Sequence, residues 1–260
     1  MAVGGAAALP AVHDTGDGPA LLFLHAFPLD ASQFDHQVAA LSRAFRCLRF
    51  DMWGCGDSPP PTGPPSLEAF ARAVLRALDE RGVGSFTACG LSLGGYVTWE
   101  LLRIAAERVN RLVLCSTRAV ADTEAGRESR EKLAERVSRE GVEPLVEENI
   151  SRLLSTRSQQ ESHIADPVRV RIRRCTPEGI AWASRAMGGR PDSTDVLTRV
   201  RVPALVIAGR EDAVIPSQDQ RLMSEQIRNA RFVELEGCGH LVNLEAPARF
   251  NEVLQQFLLD

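Results

Sequence analysis

The feature that most limits the possible folds of this chain is an alternation of short apolar runs with longer amphipathic ones. Apolar runs typical of buried strands lie at residues 20–25, 46–51, 85–89, 111–116, 202–208 and 231–235. Runs with helical periodicity lie at residues 34–44, 66–81, 93–106, 217–228 and 245–259. Strands that alternate with helices form mainly parallel sheets, because the connection between parallel strands has to cross the sheet. The sequence therefore predicts the α/β class.

A long charged stretch interrupts this alternation after Thr117. Up to about residue 190 it contains many Arg and Glu residues spaced for amphipathic helices, and a strand-like pattern returns at residues 202–208. We therefore expect an α/β core formed by residues 1–117 and 196–260, with a helical cap inserted at 118–195. A chain of 260 residues that is 44% hydrophobic is long and apolar enough for one such domain.

The charge balance gives no indication of a nucleic-acid or membrane partner. Thirty basic and 34 acidic side chains leave a net charge of −4, which does not attract nucleic acid or anionic lipid. The one basic run, between Arg169 and Arg174, is typical of a solvated helix face. Residues 1–10 lack the basic start and apolar run of a signal peptide, and no apolar run reaches the length of a membrane span. We expect a cytoplasmic protein, and the oligomeric state stays open.

The cysteines do not indicate a metal site. They are scattered along the chain without a CxxC pair, at Cys47, Cys55, Cys89, Cys115, Cys175 and Cys238. Zinc sites and disulfide frameworks usually show closely spaced cysteines. The sequence therefore predicts neither a zinc site nor a disulfide framework.

Ser92 is the strongest candidate for a catalytic residue. It is the centre of Gly-Leu-Ser-Leu-Gly at residues 90–94, between an apolar run and a helical run. A sharp turn from strand to helix strains the central residue and exposes its side chain, and the flanking glycines leave room for the turn. The free N–H groups and the dipole at the start of the helix favour an anion there. We predict that Ser92 is a nucleophile and that the Leu93 N–H group stabilises an oxyanion.

A serine hydroxyl needs a neighbouring base that removes its proton. Among the five histidines, His240 lies in the turn Gly-Cys-Gly-His after the last predicted strand, where the turn can reach the edge of the sheet. The partner carboxylate is expected between the serine and the histidine along the chain, and Glu211 and Asp212 both follow the predicted strand at 202–208. We favour Asp212 as the group that orients the imidazole of His240.

Four further residues are assigned by their position. Phe27 follows the first predicted strand, where its N–H group can be the second oxyanion donor. His25 precedes it and is predicted to brace the same loop. Trp182 lies in the predicted cap and is a candidate for the substrate pocket. Asp51 is expected to have a role in a turn rather than in catalysis.

Five segments together resemble the α/β-hydrolase superfamily and, within it, the 3-oxoadipate enol-lactonase-like esterases. They read LLFLHAFPLDASQF, DMWGCGDSP, CGLSLGGYVTWEL, VPALVIAGREDAVIP and GCGHLVNLEAPARFNEVL. The resemblance implies a mostly parallel eight-stranded sheet flanked by helices, with a helical cap over the site. It also implies ester or lactone hydrolysis through an acyl-enzyme intermediate, without a metal or organic cofactor. It assigns Ser92, Asp212 and His240 as the catalytic triad, and Phe27 and Leu93 as the oxyanion donors.

The same triad is compatible with several other reactions. Perhydrolase or haloperoxidase-like chemistry, thioester hydrolysis and hydrolysis of a carbon–carbon bond would all use it. Epoxide hydrolase and dehalogenase chemistry is disfavoured, because those relatives need a carboxylate where Ser92 stands. A ligand-binding protein that keeps the fold without turnover is an alternative from a different class. The sequence leaves the substrate open.

Overall fold

Seven strands form one sheet in residues 8–260, the part of the chain that this computed structural model describes. They are β1 Val12–Thr15, β2 Ala20–Leu24, β3 Arg46–Phe50, β4 Phe86–Leu91, β5 Val109–Cys115, β6 Ala204–Gly209 and β7 Ala230–Leu235. Their order across the sheet is β1-β3-β2-β4-β5-β6-β7. β1 pairs with β3 in antiparallel fashion, and the remaining neighbours are parallel. This arrangement confirms the predicted α/β class.

Helices flank the sheet on both sides. Within residues 8–260 they are α1 Asp35–Leu41, α2 Leu67–Asp79, α3 Leu93–Ala105, α4 Glu124–Glu140, α5 Glu143–Leu153, α6 Thr156–Gln160, α7 Ser162–Arg173, α8 Pro177–Gly188, α9 Thr194–Leu197, α10 Ser217–Glu225, α11 Val242–Glu245 and α12 Pro247–Leu259. Two short 3-10 helices span Ala31–Phe34 and Ala106–Arg108. None of the helices described is both long and apolar enough to cross a membrane.

The central strands are buried on both faces, which explains why they read as continuous apolar runs. On β4, for example, Ala88 packs into the hydrophobic cluster on one side of the sheet and Cys89 into the cluster on the other side. Parallel strands end at the same edge of a sheet. The loops after β2, β4, β5, β6 and β7 are therefore gathered at one edge, and these loops carry the predicted catalytic residues.

Helix α2 illustrates how the sequence determines these elements. The Ser66 side chain accepts a hydrogen bond from the N–H group of Ala69 and so caps the first turn. Phe70, Val74 and Leu78 follow at helical spacing, and all three are buried against the sheet. The cap starts the helix, and the apolar stripe attaches it to the core.

Helices α4 to α8 lie between β5 and β6, within the region predicted as a cap. α4 is strongly polar, and Ala134 and Val137 are its buried residues. It packs against α8, where Ser184 donates a hydrogen bond to the backbone oxygen of Arg130. The cap boundaries, residues 118 and 195, stay a prediction.

The sheet differs from the sequence-based expectations in two ways: in the number of its strands and in the presence of β1. The resemblance implied eight strands, and the residues described form seven. The sequence did not predict β1, the strand that contains His13. Its four residues pair with β3 alone and its last two residues are exposed, so they lack the apolar pattern of the inner strands. Expectations for residues 1–7 lie outside the part of the chain that the structure describes.

A disulfide bond joins Cys55 and Cys175, although the scattered cysteines predicted no disulfide framework. Cys55 follows β3, and Cys175 lies 120 positions later, between α7 and α8. Their spacing carries no signal, because the two residues meet only when the inserted helices pack on the core. Disulfides persist mainly in oxidising compartments. The bond therefore counts against the cytoplasmic location expected from the sequence, which stays a prediction.

Candidate active site

Ser92 occupies a strained turn between β4 and α3. Its φ of 55° and ψ of −109° lie in a region that residues with a side chain rarely adopt. The Ser92 N–H group donates to the backbone oxygen of Cys115 at 2.9 Å, and the Gly94 N–H group donates to that of His25 at 3.1 Å. A side chain at Gly94 would collide with the backbone oxygen of Leu24. The turn is thus fixed by its neighbours and requires the second glycine of the motif.

His240 and Asp212 form a buried pair. The Nδ1 atom of His240 lies 2.8 Å from Oδ2 and 3.0 Å from Oδ1 of Asp212, and the exposed fractions of the two side chains are 1% and 0%. The Oδ1 atom also accepts hydrogen bonds from the N–H groups of Val214 and Ile215. An ionised carboxylate only accepts hydrogen bonds, so His240 donates from Nδ1. The lone pair on Nε2 then remains free to accept a proton.

Glu245 holds the histidine loop, a role that the sequence analysis did not predict. Its carboxylate accepts hydrogen bonds from the N–H groups of Gly239, at 3.0 Å, and Ser155, at 2.9 Å. The N–H group of His240 donates to the backbone oxygen of Leu153 at 2.9 Å. The loop that carries the imidazole is therefore fixed to the end of α5. A lone Glu in a helical run gives no sequence signal for this contact.

Ser92, His240 and Phe27 line the same narrow cavity. Its lining comprises Phe27, Ser92, Tyr96, Arg118, Arg130, Asn149, Arg152, Leu153, Met187, Val214, Ile215 and His240. The structure thus brings the serine and the Asp212–His240 pair to one space, although no direct hydrogen bond joins Ser92 to His240 within residues 8–260. In an active site without substrate such contacts are often long.

The N–H groups of Phe27 and Leu93 have no acceptor within the part of the chain described. Phe27 lines the cavity, and Leu93 is the first residue of α3, directly after Ser92. Free N–H groups at a helix start and at a neighbouring loop are the kind of donors that stabilise an oxyanion. The role of these two N–H groups as oxyanion donors stays a prediction.

Trp182 does not line this cavity. Its ring packs edge-on against Trp53, with 5.2 Å between the ring centroids, and its Nε1 atom donates to the backbone oxygen of Gly63 at 3.3 Å. Met187, later on the same helix α8, lines the cavity instead. The sequence indicated that this helix belongs near the site, but helical spacing alone did not identify the inward-facing residue.

His25 braces the loop after β2. Its Nδ1 atom lies 2.9 Å from the backbone oxygen of Ala26, and its Nε2 atom accepts a hydrogen bond from the N–H group of Met52 at 2.8 Å. Because Nε2 accepts, the proton of the neutral ring is on Nδ1. The imidazole therefore links two loops, as predicted for this residue.

A cluster of possible metal ligands lies outside the cavity lining. The Nε2 atom of His13 is 2.9 Å from Asp51 and 3.7 Å from Asp57. The Asp51 carboxylate also accepts hydrogen bonds from the N–H groups of Ala31 and Asp57. These contacts occupy the Asp51 oxygens, so the cluster is explained as a brace between loops, in line with the turn role expected for Asp51.

Asp122 is surrounded by three guanidinium groups, which we call the arginine cluster: Arg118, Arg130 and Arg190. The nitrogens of these groups lie 2.6, 3.2 and 2.9 Å, respectively, from the carboxylate oxygens of Asp122. Burial alone would raise the pKa of Asp122, but the hydrogen bonds and charges of Arg190 and Arg130 lower it to about 2. Asp122 is therefore ionised in the folded protein even in acid.

We expect the Asp122→Asn substitution to lower the free energy of unfolding by about 2 kcal/mol at pH 7, since the pKa falls from 3.8 to about 2 and each unit corresponds to about 1.4 kcal/mol. A lowered native pKa stabilises the fold above the unfolded pKa, and this contribution is lost as the pH falls through the native value. The difference between the two proteins should thus shrink from about pH 4 to about pH 2. Urea unfolding of both proteins at several pH values measures this difference in the free energy of unfolding.

The exposed Glu124, the first residue of α4 and two positions after Asp122, provides the control. Glu124→Gln should change the free energy of unfolding by less than about 0.5 kcal/mol. A stability difference for Asp122→Asn that stays constant down to pH 2 would show that the ionised carboxylate is not its source.

The chain matches the model of the Alpha/beta hydrolase family over residues 21–253. It is similar to 3-oxoadipate enol-lactonase 2 of Acinetobacter baylyi, with 27% identity over 92% of this chain and 88% of that protein. The family match spans strands β3 to β7, nearly all of β2, and the positions of Ser92, Asp212 and His240.

Two solved structures have the same overall arrangement. A thermophilic esterase from Thermogutta terrifontis, solved with malate bound, superposes with a TM-score of 0.93 and 35% identity, covering 95% of this chain and 92% of that one. The enol-lactonase from Burkholderia xenovorans LB400 superposes with a TM-score of 0.89 and 28% identity, covering 96% of each chain.

Proposed function

Because this chain belongs to the alpha/beta hydrolase family, we propose that it is a serine hydrolase that cleaves a carboxylic ester or lactone of a small molecule. The observation that carries the proposal is the buried Asp212–His240 pair, whose imidazole lines the same cavity as the strained Ser92. An imidazole oriented in this way is the base that a serine nucleophile requires.

The first half of the reaction forms an acyl-enzyme. The Nε2 atom of His240 takes the proton of the Ser92 hydroxyl while Oγ attacks the substrate carbonyl carbon. The N–H groups of Phe27 and Leu93 stabilise the oxyanion, and each such donor typically contributes about 10²- to 10³-fold to kcat. Asp212 keeps the Nδ1 proton in place and stabilises the imidazolium. The imidazolium then protonates the leaving alkoxide as the bond to it breaks.

The second half releases the acid. A water molecule gives a proton to Nε2 of His240 and attacks the acyl carbon, and the same two N–H groups stabilise the second oxyanion. His240 returns the proton to Ser92 Oγ when the acyl bond breaks. These steps use protein groups and water, and the enzyme returns to its starting state.

Substrate choice is proposed to depend on the helical cap of residues 118–195. Its support is that Asn149, Leu153 and Met187, from α5 and α8, line the cavity beside Ser92. The similarity to an esterase and to enol-lactonases favours esters and lactones among the reactions open to this triad.

A substrate panel tests the proposal. We expect turnover of p-nitrophenyl esters and of small lactones, and much lower kcat/KM values for acyl thioesters, for cleavage of a diketone and for peracid formation. Turnover limited to one of these last three would replace ester hydrolysis as the function. Absence of turnover in the whole panel, together with no reaction of Ser92 with a fluorophosphonate, would favour a ligand-binding protein.

A further inference from the structure

Three arginines line the cavity that contains Ser92 and His240. Arg118 follows β5, Arg130 lies on α4 and Arg152 lies on α5. The same three also line an adjoining cleft of about 450 Å³, which we call the outer cleft. Its charged lining consists of Arg118, Asp122, Arg130, Lys132, Arg136, Glu148 and Arg152. The arginines therefore stand at the border between the outer cleft and the reacting groups.

Protein carboxylates do not balance this positive charge. Asp122 is shared by the whole arginine cluster, and Glu148 is paired with Arg136. The carboxylates in the lining of the outer cleft are thus already engaged by other groups. A charged group from outside the chain would find excess positive charge at this border.

Arg152 differs from the other two arginines because no hydrogen bond or ion pair joins it to any residue between 8 and 260. Its side chain is exposed to solvent at the border between the cavity and the outer cleft. An arginine stays protonated, so this guanidinium offers an unpaired positive charge and free N–H donors at the border of the cavity. An anion that binds there would pair with this charge.

Arg152 lies next in the chain to the residue that holds the loop of the catalytic base. The next residue, Leu153, accepts the backbone hydrogen bond of His240 at 2.9 Å. The end of α5 therefore carries the free guanidinium and also fixes the loop of the imidazole. A substrate held at Arg152 would be held at a defined distance from His240 and Ser92.

We propose that the natural substrate carries a negatively charged group, a carboxylate or a phosphate, away from its scissile carbonyl, and that Arg152 binds this group together with Arg130. The guanidinium fork pairs with two oxygens of such a group at once. This inference rests on the proposed ester or lactone hydrolysis and specifies the substrate class for the same site.

Matched substrates test the inference. For the acyl side, p-nitrophenyl hemiglutarate is compared with its neutral methyl ester, and for the alcohol side, the acetyl ester of 4-hydroxybutyrate is compared with its methyl ester. We expect kcat/KM to favour the charged member by about 10-fold or more in at least one pair, since one hydrogen bond to a charged group is typically sufficient for this effect. Arg152→Gln should lower the ratio of charged to neutral kcat/KM by about 10- to 100-fold, mainly through KM.

Arg127→Gln is the matched control. It removes one positive charge from the exposed side of α4, where Arg127 pairs with Glu124, and should leave the ratio unchanged. Arg152→Lys keeps the charge without the fork and should recover part of the lost ratio. No preference for the charged member in either pair, with the neutral esters still hydrolysed, would overturn the inference and leave the proposed function intact.

A binding measurement decides the inference independently of turnover. Glutarate and inorganic phosphate are titrated calorimetrically into Ser92→Ala and into the double variant that also carries Arg152→Gln. Binding of either anion that is lost in the double variant, with an unchanged melting temperature, supports the inference, and the stronger of the two identifies the charged group. Equal binding to both proteins, or no binding to either, contradicts it. Failure of every ester and lactone would instead remove the proposed hydrolysis.

Discussion

Replacement of Ser92 by alanine is expected to lower kcat for an activated ester by about 10⁴-fold or more, because the group that forms the acyl bond is removed. Alanine has the same backbone restrictions as serine at a φ of 55°, so the turn and its two backbone hydrogen bonds should persist. The residual rate would come from the oxyanion donors and from substrate binding alone. Initial rates with a p-nitrophenyl ester, together with the melting temperature, measure the effect.

Ser116 provides a matched control for this substitution. It also follows a strand of the sheet, β5, and has a positive φ of 45°, but it does not line the cavity. Its hydroxyl is buried without a hydrogen bond to the rest of residues 8–260. Removal of this hydroxyl should therefore change the free energy of unfolding little. Ser116→Ala should retain activity within about threefold of the parent. Comparable activity of Ser92→Ala and Ser116→Ala would refute the role of Ser92.

Replacement of Asp212 by asparagine is expected to lower kcat by about 10⁴-fold while the fold is retained. The amide oxygen can still accept from the N–H groups of Val214 and Ile215, and this directs the amide NH₂ group towards His240. The NH₂ group is a donor, so the Nδ1 atom of the ring must then accept, and the proton moves to Nε2. The imidazole then cannot take the proton of Ser92.

Glu211, the carboxylate next in the chain, gives the comparison for this variant. It is exposed and was the alternative in the sequence analysis, whereas Asp212 is buried against His240. Glu211→Gln should leave kcat within about twofold of the parent, as expected for a surface substitution. A larger loss in Glu211→Gln than in Asp212→Asn would reverse the assignment.

The parallel strands could be predicted because they are buried on both faces and so appear as apolar runs. β6, at Ala204–Gly209, falls almost entirely within the predicted run at 202–208. Ser92, Asp212 and His240 each follow a predicted strand, and this was sufficient to predict that they lie at one edge of the sheet. Their common location follows from the fact that parallel strands end at the same edge.

What could not be predicted depends on contacts between distant segments. β1 is too short and too exposed to have a periodicity, and the Cys55–Cys175 bond forms between a loop of the core and the inserted helices. Arg152 was part of a charged stretch that indicated amphipathic helices, and a helical pattern does not show which charged residue faces a cavity. The lining of the site is therefore a property of the packing of the cap.

Reaction with a fluorophosphonate, followed by intact mass and peptide mapping, tests the central claim most directly, because the probe reacts with a serine only when a base activates it. We expect one adduct per chain, on the peptide that contains Ser92, formed at least about 10³-fold more slowly in His240→Ala. Ester hydrolysis that persists while Ser92 stays unmodified, or labelling of Ser92 at the same rate without His240, would contradict the account.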